Sequence, residues 1–279
     1  MTTLLDFLRT TEPTTNVWNY VSASRLSLWS KCPLAFKRRY VDGIESAPSV
    51  SMFVGKVVHG VLEHVYRCRS VETICTEADL PDFVSDVWMR TIQDEPVFFD
   101  DENHEQKCRQ QVRDLAAAYL REIDIEAEVP LAVEKRYETQ LVDPLTGEDL
   151  GITLVGVIDL LVETENGLTL VDFKTASASS NCQMQHELQL TAYAYLVRQL
   201  LDREESSLEI RQLVKTKVPK IVVHRFPPRS DEHFQKFFDL VREYLDSLDR
   251  GVFNYRPQFS CQLCENAGFC ASPTSAPFG

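Results

Sequence analysis

Apolar positions change their spacing once along the chain, near Pro130. Upstream the repeat is helical. Leu26, Trp29, Leu34, Phe36 and Tyr40 recur at mixed three- and four-residue steps between Ser22 and Val41, with Ser22 or Ser24 as the cap. Pro33 lacks an N–H, so it is expected to open a new turn or helix rather than sit inside one. A second helix is predicted over 51–69, with Phe53, Val57, Val58, Val61, Leu62 and Val65 as its buried stripe. Two more are predicted over 80–95 and 103–125, joined by the acidic stretch that begins at Phe99. Residues 1–20 read as polar and loosely ordered.

Downstream the period is two. Leu131 to Glu138 alternates as a strand does, and Asp143-Pro-Leu-Thr-Gly147 is a turn. Ile152–Glu163 and Leu168–Lys174 are rich in Val, Ile and Leu, and Glu165-Asn166-Gly167 joins them as a hairpin. A helix follows over 183–203, strands over 209–216 and 220–226, and a last helix over 231–249. The order predicts an α/β fold with a mixed central sheet flanked by helices. It divides into an N-terminal helical region (1–125), a core (126–250) and a cysteine-bearing tail (251–279) that packs on the N-terminal region.

Composition narrows the setting. The 279 residues are 44% hydrophobic, enough for one sizeable core with a helical annex. No apolar run reaches the roughly 18–20 residues that cross a bilayer. The start of the chain has no basic segment followed by an apolar one. A cytoplasmic, reducing setting without a membrane partner is the expectation, where eight cysteines read as metal ligands and buried small residues. The net charge of −13 excludes nucleic-acid binding through bulk charge, so any such partner needs a local basic groove. Arg25, Lys31, Lys37, Arg38 and Arg39 form the candidate basic segment.

The candidate chemistry lies on the hairpin. Asp159 ends an apolar strand, and Asp172 and Lys174 share one face of the next. A hairpin sets that face beside Asp159. Two carboxylates and an ammonium held on rigid strands suit Mg²⁺ or Mn²⁺. Such an ion polarises a phosphoryl oxygen, and Lys174 is placed to orient a water or face charge developing on the phosphate. His59, after Gly55, is a candidate nitrogen ligand, and Glu134 on the preceding strand a candidate further acid. Gln189 and Tyr193, four apart on a helix, share a face and are candidates to contact DNA or orient these groups.

Four cysteines form the second constellation. Cys32 stands near the start, and Cys261-x2-Cys264-x5-Cys270 near the end. Thiolates bind zinc or iron–sulfur clusters, and spacing leaves both open. Closing a loop of this length costs an unlinked chain about 5 kcal/mol plus a constant, so a bound group here would act as a staple. Cys68, Cys75, Cys108 and Cys182 have no ligand spacing and read as packing residues.

Taken in order, Gly55-x3-His59, Glu134, Gly156-x2-Asp159, Asp172-x-Lys174 and Gln189-x3-Tyr193 resemble RecB-like nucleases of the restriction-endonuclease-like PD-(D/E)XK superfamily. The four flanking cysteines resemble its iron–sulfur subset, which includes the AddB-type nuclease domain, the CRISPR-adaptation nuclease and free-standing RecB-family exonucleases. The resemblance covers about residues 22–271. It implies that His59, Asp159 and Asp172 are metal ligands, completed by the Phe173 carbonyl, with Lys174 catalytic. Glu134, Gln189 and Tyr193 join the catalytic set, while Arg25, Lys37, Arg38 and Tyr193 face DNA. It also implies a [4Fe–4S] cluster on Cys32, Cys261, Cys264 and Cys270, stapling the N- and C-terminal regions together. The implied activity is metal-dependent exonucleolytic hydrolysis of DNA, at single-stranded ends, in repair, recombination or processing. The alternatives are trimming of pre-spacer ends in CRISPR adaptation and a non-catalytic DNA-end-binding module. No Gly-x4-Gly-Lys-Ser/Thr phosphate loop occurs, so unwinding would come from a partner helicase.

Overall fold

The computed structural model describes residues 17–44, 47–179, 183–258, 261–262, 264 and 266–270. The first 16 residues and Cys182 lie outside them. The chain enters through a two-residue strand β1 (Tyr20–Val21) and helix α1 (Ala23–Lys31). The Ser22 side chain accepts from the Arg25 N–H and caps α1. Pro33 takes the first helical position of α2 (Pro33–Phe36), as its missing N–H dictates, and a π-helical turn (Lys37–Val41) continues it. Helices α3 (Val50–Ser70), α4 (Leu80–Asp94) and α5 (Glu102–Glu122) follow. The expected end of α5 at 125 falls instead in a separate 3₁₀ turn (Ile125–Ala127), whose Ala127 N–H is held by the Asp124 carboxylate.

Then come β2 (Val129–Val142), β3 (Asp149–Thr164), β4 (Gly167–Ala176), α6 (Gln183–Leu201), β5 (Ser207–Val214), β6 (Lys220–Phe226) and α7 (Asp231–Asp249). A short α8 (Ala267–Cys270) closes the described chain. The six strands form one mixed sheet in the order β1-β3-β4-β5-β6, with β2 on the other edge of β3. Neighbours β2–β3, β3–β4 and β5–β6 are antiparallel, while β1–β3 and β4–β5 are parallel. Strand β1 is too short to produce a period in the sequence, and its pairing with Thr153 and Leu154 was not anticipated.

Helices cover both faces. On one, α1, α6 and α7 bury Leu26, Trp29, Tyr195, Leu196, Phe238 and Tyr244 against Leu154, Ile158 and Leu170. On the other, α3, α4 and α5 bury Phe53, Val58, Leu62, Trp88 and Leu115 against Leu160, Val171 and Phe173. Sheet side chains alternate between these two cores, which is why the strands read as nearly continuous apolar runs.

The helical side also holds a charged network. Arg211 is 3% exposed and Glu128 is 6% exposed, and they are ion-paired. The guanidinium also donates to the hydroxyls of Tyr119 (2.6 Å) and Tyr66 (2.9 Å) and to Glu209 (2.9 Å). Both tyrosine rings pack on Phe173, with centroids at 6.2 Å for Tyr66 and 5.7 Å for Tyr119. The lone Arg in the apolar run of β5 was a sequence signal for such a network, because a charge there needs a partner. Arg211→Ala strands the Glu128 carboxylate in the interior. It should cost about 3–5 kcal/mol, read as a lowered urea midpoint; a loss below about 1 kcal/mol would show that the pair is not dry.

Candidate active site

Strand β3 changes partners along one edge. It pairs with β1 at Thr153–Leu154 and with β4 from Leu160 onward. Among the described residues, 155–159 have no strand on that side. The last β3–β4 pair is Leu160–Val171, and beyond it the strands part. The Phe173 N–H is met there by the Asp159 carboxylate, at 2.8 Å, instead of by a β3 carbonyl.

The register gathers the acids at this fork. Val133 faces Leu160 and Lys135 faces Ile158, so Glu134 lies across from Asp159. Asp172 follows Val171, one step past the last pair. Glu134 has φ +44°, a left-handed conformation that a non-glycine residue adopts at a cost of about 1–3 kcal/mol and that concentrates at functional sites. On α3, the His59 Nδ1 stands 3.5 Å from Asp159 Oδ2 and 4.0 Å from Glu134 Oε1. One donor atom each from His59, Glu134 and Asp159 lies within 4.8 Å of the others, a spacing that one divalent cation spans after small adjustment.

Asp172 is fully buried beside this group and is held differently. Its Oδ2 lies 2.6 Å from Lys174 Nζ, and its Oδ1 accepts from Gln189 Nε2 at 2.9 Å. Gln189 Nε2 also reaches the Tyr193 hydroxyl at 2.9 Å. The structure thus groups Glu134 with His59 and Asp159, and ties Asp172 to Lys174 and Gln189. Phe173 sits between the two sets: its backbone hydrogen-bonds His59, and its ring meets the imidazole edge-on at 5.8 Å.

Two glycines of the motif permit this closeness. A Cβ on Gly55 would stand 2.8 Å from Thr175 Oγ1, so α3 approaches β4 only without one. A Cβ on Gly156 would stand 2.7 Å from Leu196 Cδ1 and 3.0 Å from Tyr193 Cε1, which seats α6 on β3.

The site is short of positive charge. Burial, then Asp159, Glu63 and Asp172, push the Glu134 carboxyl up to about 7. Burial raises Asp159 and Asp172 as well, against the pull of Lys174. Burial and Lys174 push His59 down to about 4, leaving a neutral imidazole with a lone pair to give. Neutral imidazole beside crowded carboxylates is the donor set that a hard divalent cation satisfies.

Two grooves open on the site. One, about 640 Å³, runs between α3 and α4 past His59 and Glu134. The other, about 830 Å³, runs along the open edge of β3 between α1 and α6. Lys174 lines both.

A family model described as the PD-(D/E)XK nuclease superfamily matches residues 20–271. The chain belongs to that superfamily. A crystal structure described as "Putative exonuclease" from Eubacterium rectale superposes with TM-score 0.59 at 14% identity, covering 100% of this chain and 97% of that one. At that identity the likeness shows the fold. A second structure, SSO0001, is 12% identical over 89% of this chain and 96% of that one, with a TM-score of 0.37. No curated protein matches. Nucleases of this superfamily use divalent metals, in keeping with the His59–Glu134–Asp159 group. No described helix is long and apolar enough to cross a membrane.

The cysteines of this nuclease also converge. Cys32, at the junction of α1 and α2, lines one apolar cavity of about 50 Å³ with Cys261, Cys264 and Cys270. Burial and the other three thiols raise the Cys270 thiol. The returning segment is held there by Arg38 donating to Asn266 (2.6 Å), Arg256 donating to the Ser30 carbonyl (2.7 Å) and Gln258 donating to the Lys31 carbonyl (3.0 Å). Cys68 and Cys75 hydrogen-bond each other, and Cys108 is buried.

Part of the basic segment is engaged within the molecule, while Lys31 and Arg39 stay exposed. Arg25 is 4% exposed, donates to the Tyr20 carbonyl and covers the rings of Tyr20 and Tyr40. Lys37 pairs with Asp42 at 2.7 Å, and the Arg38 guanidinium lies over the Phe269 ring. An unforeseen member of the site is His186, which hydrogen-bonds Gln189 and faces Lys174 and Asp172. Its spacing of three from Gln189 and seven from Tyr193 on one helix face was the signal.

Proton linkage at Glu134 is measurable in the metal-free protein. Its carboxyl, at 4.5 when unfolded, keeps its proton to about 7 when folded. The folded state binds more protons in that window, so this residue's contribution to stability falls as pH rises through it. His59, lowered from 6.5 to about 4, contributes with the opposite sign over its own window. Glu134→Gln should therefore gain on the parent as pH climbs from about 5 to about 8, by up to about 3 kcal/mol. Parallel urea midpoints across that range would mean that burial and the neighbouring acids do not hold a proton on Glu134.

Proposed function

We propose that this chain is a metal-dependent deoxyribonuclease of the RecB-like, AddB-type iron–sulfur group. It acts as an exonuclease on single-stranded DNA ends in repair, recombination or processing. The observation that carries the reading is the meeting of three carboxylates, an imidazole and one lysine at a break in the sheet that opens into grooves on two sides. Asp159, Glu134 and His59 would hold Mg²⁺ or Mn²⁺, with Asp172 and the Phe173 carbonyl adjoining. A cation held there supplies Lewis acidity toward the scissile phosphate.

The remaining work falls to fixed side chains. Lys174 Nζ, anchored by Asp172, orients the attacking water and faces negative charge developing on the phosphate. Gln189, bonded to both Asp172 and Tyr193, stops the Asp172 carboxylate from rotating. Glu134, with its carboxyl near 7 in the metal-free site, would give up that proton when the cation binds.

The four cysteines, which line one cavity, would hold a [4Fe–4S] cluster. A group bonded to all four would tie the α1–α2 junction to the segment around Cys270.

Asp172→Ala and Lys174→Ala should each abolish cleavage of a labelled single strand in Mn²⁺ while the fold, read by circular dichroism, and the visible absorbance stay at parental values. Full activity in either variant would rule out the site. Cys261→Ser should lose the visible absorbance and melt several degrees lower; a variant that keeps both would remove the staple from the account.

A further inference from the structure

The two grooves that meet at Lys174 carry different charge. The groove along the open β3 edge is lined by Lys31, Arg136 and Lys174, and by no carboxylate among the described residues. The groove between α3 and α4 is lined by Lys56, Arg90 and Lys174, against Glu63, Asp94 and Glu134. In this second groove Lys56 bonds Glu95 at 2.6 Å, in a pair that is about half exposed, and Arg90 donates to the Asp86 carbonyl, so what sets the grooves apart is the three carboxylates lining this one. Arg136 has only a 3.2 Å pair with Glu138, in which both side chains are about half exposed. Such a pair is worth little and yields readily to a phosphate.

We infer that the uncut strand lies in the α1–α6 groove, with its phosphates on Lys31 and Arg136, and that the cleaved nucleotide leaves through the α3–α4 groove. The inference rests on the nuclease reading and adds a direction of travel to it. A polyanion cannot gather on a chain of net charge −13 unless one surface is locally cationic, and this groove is that surface. The groove also offers the hydroxyls of Ser22, Ser24 and Ser27 as phosphate and sugar donors. A product with a newly exposed terminal phosphate gains charge. Beside Glu63 and Asp94 it is repelled rather than retained, and this clears the site for the next phosphodiester.

The test is equilibrium binding of a fluorescent oligothymidylate to the intact protein, without divalent metal, across a salt series. Each phosphate contact on a single strand contributes about 0.7 to the slope of log K against log salt. The double variant Lys31→Gln/Arg136→Gln should lower the slope by about 1.4, which weakens binding about 25-fold near 0.1 M salt. Lys56→Gln/Arg90→Gln should leave the slope within error. The reverse pattern, or equal losses in both, would overturn the assignment. A 4-thiothymidine strand photocrosslinked to the unmutated protein gives an independent answer. With the thiothymidine placed only in the interior of the strand, label on peptides holding residues 20–31 or 136 supports the inference, and label on 52–63 or 90–94 defeats it. Parental protein that binds the strand yet cleaves nothing in Mn²⁺ would count against the nuclease reading and leave the groove assignment to the slopes.

Discussion

The hydrogen bond from the Phe173 N–H to Asp159 is the contact on which the rest of the site depends. It exists because β3 and β4 stop pairing at Leu160–Val171 and the next N–H of β4 needs an acceptor. By supplying one, Asp159 converts a sheet defect into a fixed carboxylate. The same parting of strands exposes an edge of β3 and opens a passage between the two helical faces. His59 reaches the site from one face, and Gln189 and Tyr193 from the other.

Rigidity behind the fork is supplied by an unusual interior. Arg211, Glu128, Tyr66 and Tyr119 form a closed polar network whose two rings clamp Phe173. An ion pair of this kind is weak support for stability, since desolvation offsets much of its attraction. Its value here is geometric. With its ring immobilised, Phe173 presents its backbone to Asp159 and His59 in one arrangement. The acids in front are left with a surplus of negative charge that burial amplifies.

The cysteine cavity sits on a surface that is already assembled by ordinary contacts. Arg38, Arg256 and Gln258 join the returning tail to α1 and α2. Lys31, in the α1–α6 groove, precedes Cys32 in the cavity.

How much of this was legible depends on how local each signal is. Helices α3 to α7 and strands β2 to β6 appear in the sequence because their apolar periods are properties of consecutive residues. The hairpin likewise brings Asp159 to Asp172 and Lys174 through its own turn. The motif glycines mark close approach, but not that Thr175 and Tyr193 are what approaches. Non-local decisions were hidden. Strand β1, the left-handed turn at Glu134, and the choice of Glu134 rather than Asp172 to group with His59 all depend on register between distant segments. Charge in the sequence was legible only in part: packing buries Arg25 and lays Arg38 over Phe269, Lys31 of the same segment lines the groove, and Arg136, on an ordinary alternating strand, joins it there. Sequence by itself determined which elements form and which chemistry they carry, because side-chain period and residue type are written residue by residue. Tertiary structure alone decided which charges meet and which face open space, because burial belongs to the assembled whole.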